Sequence, residues 1–207
     1  MNIVLGAFSI IVICFASPVV AEPPTNHCDI KGAVAEIQNF ALKAGTYPPA
    51  VATADERKQV IGKYLVIKKE LDSLSQDCTN VVEKLLLRAK LETMGHNLDI
   101  EHAWNDAESD FREVLRRVPQ NVEGLLGLGF LYVNTNLKLA PQAELLFLQA
   151  QKSKGAELLV SAHRGLIFAY YYQGKMEDAK REVDLVRKFE PNNKTLAELQ
   201  EIIRSKL

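Results

Sequence analysis

Apolar residues in this chain recur at helical rather than strand spacing. Ile30, Val34, Ile37 and Ala41 form one stripe, and Val60, Tyr64, Ile67, Leu71 and Leu74 form a second. Intervals of three and four residues place each set on one face of a helix. Thr53, three residues before Glu56, has the form of a capping box ahead of the second stripe. Between the stripes, "GTYPPAVA" carries adjacent prolines that turn the chain back on itself. Residues 29–87 therefore read as an antiparallel helical hairpin and its connection.

From residue 88 onward the pattern repeats. Ala107, Phe111, Val114 and Pro119 are followed at the same offsets by Ala143, Phe147, Ala150 and Gly155. Ala179, Val183, Val186 and Pro191 give a third copy. A shared element precedes each: Met94, Gly95 and Leu98, then Leu128, Gly129 and Tyr132, then Leu166, Ile167 and Tyr170. Each unit predicts two helices that approach closely where small residues face one another. The proline, which cannot continue a helix, ends the second. One such pair leaves apolar surface uncovered, so the units must stack. "TLAELQEIIRSKL" then predicts an amphipathic capping helix over 194–207, apolar at Leu196, Leu199, Ile202 and Ile203.

This pattern resembles the tetratricopeptide repeat family over residues 88–193, in units 88–121, 122–157 and 160–193. The family's first-helix tryptophan is replaced by Leu91, Leu125 and His163, and Ile167 stands where a small residue is usual. The resemblance implies an all-α helical-repeat solenoid, preceded by the hairpin and ended by the capping helix.

A second stripe runs beside the packing face of each first helix. It comprises Leu126, Phe130 and Val133 in the second unit, and Arg164, Phe168, Tyr171 and Tyr172 in the third. Equivalent places in the first unit are Glu92, His96 and Asp99. A helix with two apolar faces is either buried on both or offers one to a ligand. The resemblance implies that these positions line a concave groove for a peptide or partner protein, polar at one end and aromatic at the other. Arg164 would pair with a carboxylate and, with Glu123, set orientation. The alternative is that Phe130 and Phe168 pack inside the fold and no ligand is held.

The N-terminus changes where this protein is expected to act. Residues 3–15 are apolar and break at Pro18, and Val19 and Ala21 suit a signal peptidase. This predicts a signal peptide over 1–21, cleaved before Glu22, then a tail over 22–28. No Lys or Arg precedes the apolar stretch, and an uncleaved membrane anchor is the alternative. Export to the periplasm or beyond would place Cys28 and Cys78 where disulfides form. The hairpin would bring them together, and a loop of that length contributes about 4 kcal/mol by chain entropy. Two free thiols, or a metal site with His27, are the other readings.

Composition removes several functions. Of 207 residues 47% are hydrophobic and 25% charged, with net charge −1, so there is no basic stripe for nucleic acid. His96 and His102 are six apart rather than at the four-residue spacing of helical metal ligands. No phosphate loop or nucleophile motif appears, and "GLLGLGF" lacks dinucleotide spacing. The expectation is a non-catalytic adaptor or assembly factor binding a protein or peptide, with no cofactor, metal or small-molecule substrate. The alternative is a membrane-anchored structural subunit of an envelope, secretion or pilus-type complex.

Overall fold

The computed structural model describes residues 31–74, 80–152 and 155–207. The expected signal segment, the tail after it, and both Cys28 and Cys78 lie outside these residues. Among the described residues every regular element is helical: α1 (Lys31–Ala44), α2 (Ala54–Ser73), α3 (Val81–Asn97), α4 (Ala103–Arg117), α5 (Val122–Thr135), α6 (Ala140–Ala150), α7 (Ala156–Tyr172), α8 (Met176–Phe189) and α9 (Lys194–Arg204). A single 3₁₀ turn at Leu137–Leu139 leads into α6. The chain divides into two compact units, Met1–Arg117 and Val118–Leu207.

In the first unit, α1 and α2 form the expected pair and α3 packs on α1, α2 and α4. The cap of α2 is as read from the sequence, with one shift. Thr53 accepts from the Glu56 N–H at 3.1 Å, while Glu56 reaches back to the Ala52 N–H at 2.8 Å rather than to Thr53 itself. Asn80 caps α3 by accepting from the Glu83 N–H. That helix begins at Val81, so the boundary expected at residue 88 falls inside it. Ile37, Phe40, Tyr64, Ile67, Leu71, Leu91, Met94 and Leu98 form the core, each buried to within 2%. Burial of each large side chain is worth about 1.5–3 kcal/mol. Gly95 allows close approach: a Cβ there would lie 2.7 Å from the Tyr64 ring and 3.2 Å from Ala103.

The second unit winds α5 onto α6, α6 onto α7, α7 onto α8 and α8 onto α9, with α5 also touching α7. Phe147 of α6 is central to it. Its ring lies against Gly129 of α5, where a Cβ would come within 2.6 Å, and still closer against Gly165 of α7. Ile167, Ala179, Val183 and Val186 form a second cluster with Leu196, Leu199 and Ile203 of α9. Lys194, Thr195, Glu198 and Glu201 face solvent, so α9 is amphipathic as the sequence predicts.

The first three recurring positions of each second helix share one fate. Ala107, Phe111, Val114, Ala143, Phe147, Ala150, Ala179, Val183 and Val186 are all buried. The helices before Pro119 and Pro191 stop two residues short of each proline, at Arg117 and Phe189.

Candidate functional site

Arg164, Phe168, Tyr171 and Tyr172 fall on one face of α7 because steps of four, seven and eight residues return to the same side of a helix. The inner face of α7 is filled completely: Ala162, Leu166, Ile167 and Ala169 have no exposed surface. On the second face Phe168, Tyr171 and Tyr172 stay half-buried, with Phe168 and Tyr171 leaning on the α7–α8–α9 cluster. Phe168 stacks on Tyr172 at 6.5 Å between ring centres, and Tyr171 meets Tyr172 edge-on at 5.6 Å. Lys206 donates to the Tyr171 hydroxyl at 2.7 Å and holds its ammonium 4.4 Å from that ring's centre. Burial raises the phenol pKa of Tyr172.

Arg164 is already paired. Its guanidinium meets Glu190, at the C-cap of α8, and Asn193 donates to the other oxygen of that carboxylate at 2.9 Å. Burial lowers the pKa of Arg164, although a guanidinium remains charged in a protein. Nearby, His163 Nδ1 lies 2.5 Å from Glu182 and 3.0 Å from the Gln151 amide, tying α7 to α8 and to the end of α6.

On the α5 stripe Phe130 stays half-buried while its neighbours are covered. Leu126 and Val133 are buried, and the Phe130 ring sits edge-on to Phe147 at 5.0 Å. Glu123, in the first turn of α5, is half-buried. In the second unit the structure thus brings together Phe168, Tyr171 and Tyr172 as one partly accessible aromatic surface, bordered by the Arg164–Glu190 pair.

Glu92 and His96 lie in the first unit, on α3. Glu92 is 2% exposed, accepts from the Tyr64 hydroxyl at 2.5 Å and pairs with Lys68 at 2.7 Å. Its carboxylate is committed to internal contacts. His96 is half-buried, and its pKa is lowered by burial, with the Asp99 charge opposing.

Glu92 belongs to a polar network that the sequence did not reveal. Lys68 also reaches Asp106 at 3.3 Å, linking α2, α3 and α4. One turn along, Arg88 lies 3.2 Å from Asp110 and 3.9 Å from Asp72. Burial would lower the Lys68 pKa, yet the bond to Glu92 carries it above its usual range. Burial, and then the hydrogen bond to Glu92, raise that of Tyr64. Asp110 is buried, its Oδ2 faces Arg88 Nε without accepting a hydrogen bond, and desolvation pushes its carboxyl up to about 6.

Among the described residues, no group of three or more His, Cys, Asp or Glu side chains could hold a metal ion. No described helix is long and apolar enough to cross a membrane. No protein-family model matches the chain, and no curated protein or solved structure matches it either.

Proposed function

We propose that this chain is a non-catalytic, exported interaction module that holds a peptide or partner protein against α7. Its second unit is a tetratricopeptide-like array of two helix pairs, α5/α6 and α7/α8, closed by α9. The first unit ends in a pair, α3/α4, that carries the same recurring residues. Support for the repeat reading comes from the burial of the three small, aromatic or Val positions in the second helix of each pair, Ala107 to Val186.

The observation that carries the functional reading is the double character of α7. One face is wholly buried, while Phe168, Tyr171 and Tyr172 remain partly accessible on another. Large aromatic side chains with a polar rim are typical anchors for a partner. Tyr171 and Tyr172 carry hydroxyls that stay satisfied at a wet boundary, and the Arg164–Glu190 pair can exchange partners with a ligand's charge.

The test is in-cell crosslinking with mass spectrometry, comparing wild type with a Tyr171→Ala, Tyr172→Ala variant whose helix content is verified by circular dichroism. Loss of specific crosslinked partners supports the α7 surface, whereas an unchanged partner set removes it. The same spectra report whether the mature chain starts at Glu22, as export with cleavage requires. A chain retaining residues 3–15 and fractionating with membranes would favour the anchored structural subunit instead.

A further inference from the structure

We propose that the joint between α4 and the α2–α3 pair is a proton-sensitive clasp, in which Asp110 takes up one proton on mild acidification and α4 is then held more tightly. Charge is unbalanced at this joint. Four carboxylates, Asp72, Glu92, Asp106 and Asp110, meet there with two cations, Lys68 and Arg88. Lys68 is committed to Glu92 and Asp106, and Glu92 has a second donor in Tyr64. Arg88 is divided between Asp110 and Asp72. Asp110 differs from the half-exposed Asp72 and Asp106 in being buried, at 6% exposure, with its Oδ2 facing Arg88 Nε at 3.2 Å yet accepting no hydrogen bond.

A buried carboxylate without a full set of donors is costly in its charged form. Desolvation is the main cause of its raised carboxyl pKa. The Arg88 charge on α3 opposes it, and Glu92 on α3, Asp106 on α4 and Asp72 on α2 reinforce it. The ordinary value is 3.8 and the folded value about 6, so the folded state binds the proton more tightly than the unfolded state does. The stabilisation from protonation is fully present below about pH 4 and is lost as pH rises through about 6. Protonation also turns Asp110 from an acceptor into a donor and removes one of two unbalanced negative charges.

The experiment is hydrogen–deuterium exchange on the full chain at pH 5.0 and 7.5, corrected for intrinsic exchange chemistry, and read on peptides from residues 103–117. The clasp requires about tenfold slower exchange of α4 at the lower pH, since each unit of pKa difference is a tenfold change in the coupled equilibrium. Asp110→Asn should exchange slowly at both values, while Asp106→Asn, at a half-exposed position, should keep the pH dependence. Exchange of α4 that is independent of pH in the wild type overturns the clasp, as does pH dependence that survives Asp110→Asn. Should Asp110→Asn fail to fold, the carboxyl-carbon titration of Asp110 in the wild-type chain decides. A midpoint near 6 supports the clasp, and one near 4 overturns it.

Discussion

The ring of Phe147 on α6 rests against the backbone of Gly165 on α7, closer than any Cβ at position 165 would allow. Gly129 receives the same ring from α5, with a Cβ position 2.6 Å from Phe147 Cε1. One phenylalanine thus fills the space left by two missing side chains. The ring has no exposed surface and nowhere to retreat. Gly165→Ala gains about 1 kcal/mol of helix propensity but overpacks a filled core, which costs about 1–3 kcal/mol. A net loss is expected, and urea unfolding will measure it. Gly62 in α2 supplies the contrast, because nothing lies within 4 Å of a Cβ there. Gly62→Ala should raise stability by about 0.5–1 kcal/mol. If both substitutions act in the same direction, close approach is not what keeps Gly165 a glycine.

Tyr64 offers a test of the polar network in the first unit. Its hydroxyl donates to Glu92 at 2.5 Å beneath a core that is otherwise apolar. Tyr64→Phe keeps the ring packing and removes that donor. The carboxylate keeps Lys68 but loses half of its satisfaction, a cost of about 1–3 kcal/mol for a buried charged acceptor. Thermal unfolding at neutral pH should show a lower midpoint. An unchanged midpoint would show that water or Lys68 replaces the hydroxyl at no cost.

The sequence made the helices legible because periodicity reports which side of an element is apolar. The nine recurring positions of the second helices in each pair are buried, and the capping helix keeps its expected apolar face at Leu196, Leu199 and Ile203. Periodicity does not report which neighbour covers a side. Glu92 reads as a groove-lining position and nothing in the pattern marks Asp110, yet α2 or α3 lies over each of them. Gly165 lies just outside the repeat positions, which fall on Leu166 and Ile167. A glycine in mid-helix is a signal in itself, since its propensity cost calls for a packing reason. Phe130 shows the same limit from the apolar side, for its stripe was legible but its edge-on contact with Phe147 was not.

Asn193 joins two elements and should be costly to replace. Its side-chain oxygen caps α9 by accepting from the Leu196 N–H at 3.2 Å, while its amide nitrogen donates to Glu190. Asn193→Ala removes both bonds, with a cap loss of about 1 kcal/mol. Hydrogen exchange in the first turn of α9 should accelerate before that of α8. Uniform acceleration across both helices would instead indicate that they open as one unit.

Arg164 has two separable roles, one proposed in binding and one in the α7–α8 junction. Its pairing with Glu190 is roughly three-quarters shielded from solvent, with side-chain exposures of 22% and 23%. A charge-assisted bond at such burial is worth about 1.5–3 kcal/mol. A double-mutant cycle with Arg164→Met and Glu190→Gln should therefore return a coupling energy in that range when stability is measured by urea unfolding. Partner capture gives the second readout. If Arg164 meets a carboxylate of the partner, Glu190 competes for the same guanidinium, so Glu190→Gln should strengthen capture while Arg164→Met weakens it. A strong coupling with capture unaffected by either substitution would assign Arg164 to the α7–α8 junction alone. The binding surface would then be reduced to Phe168, Tyr171 and Tyr172.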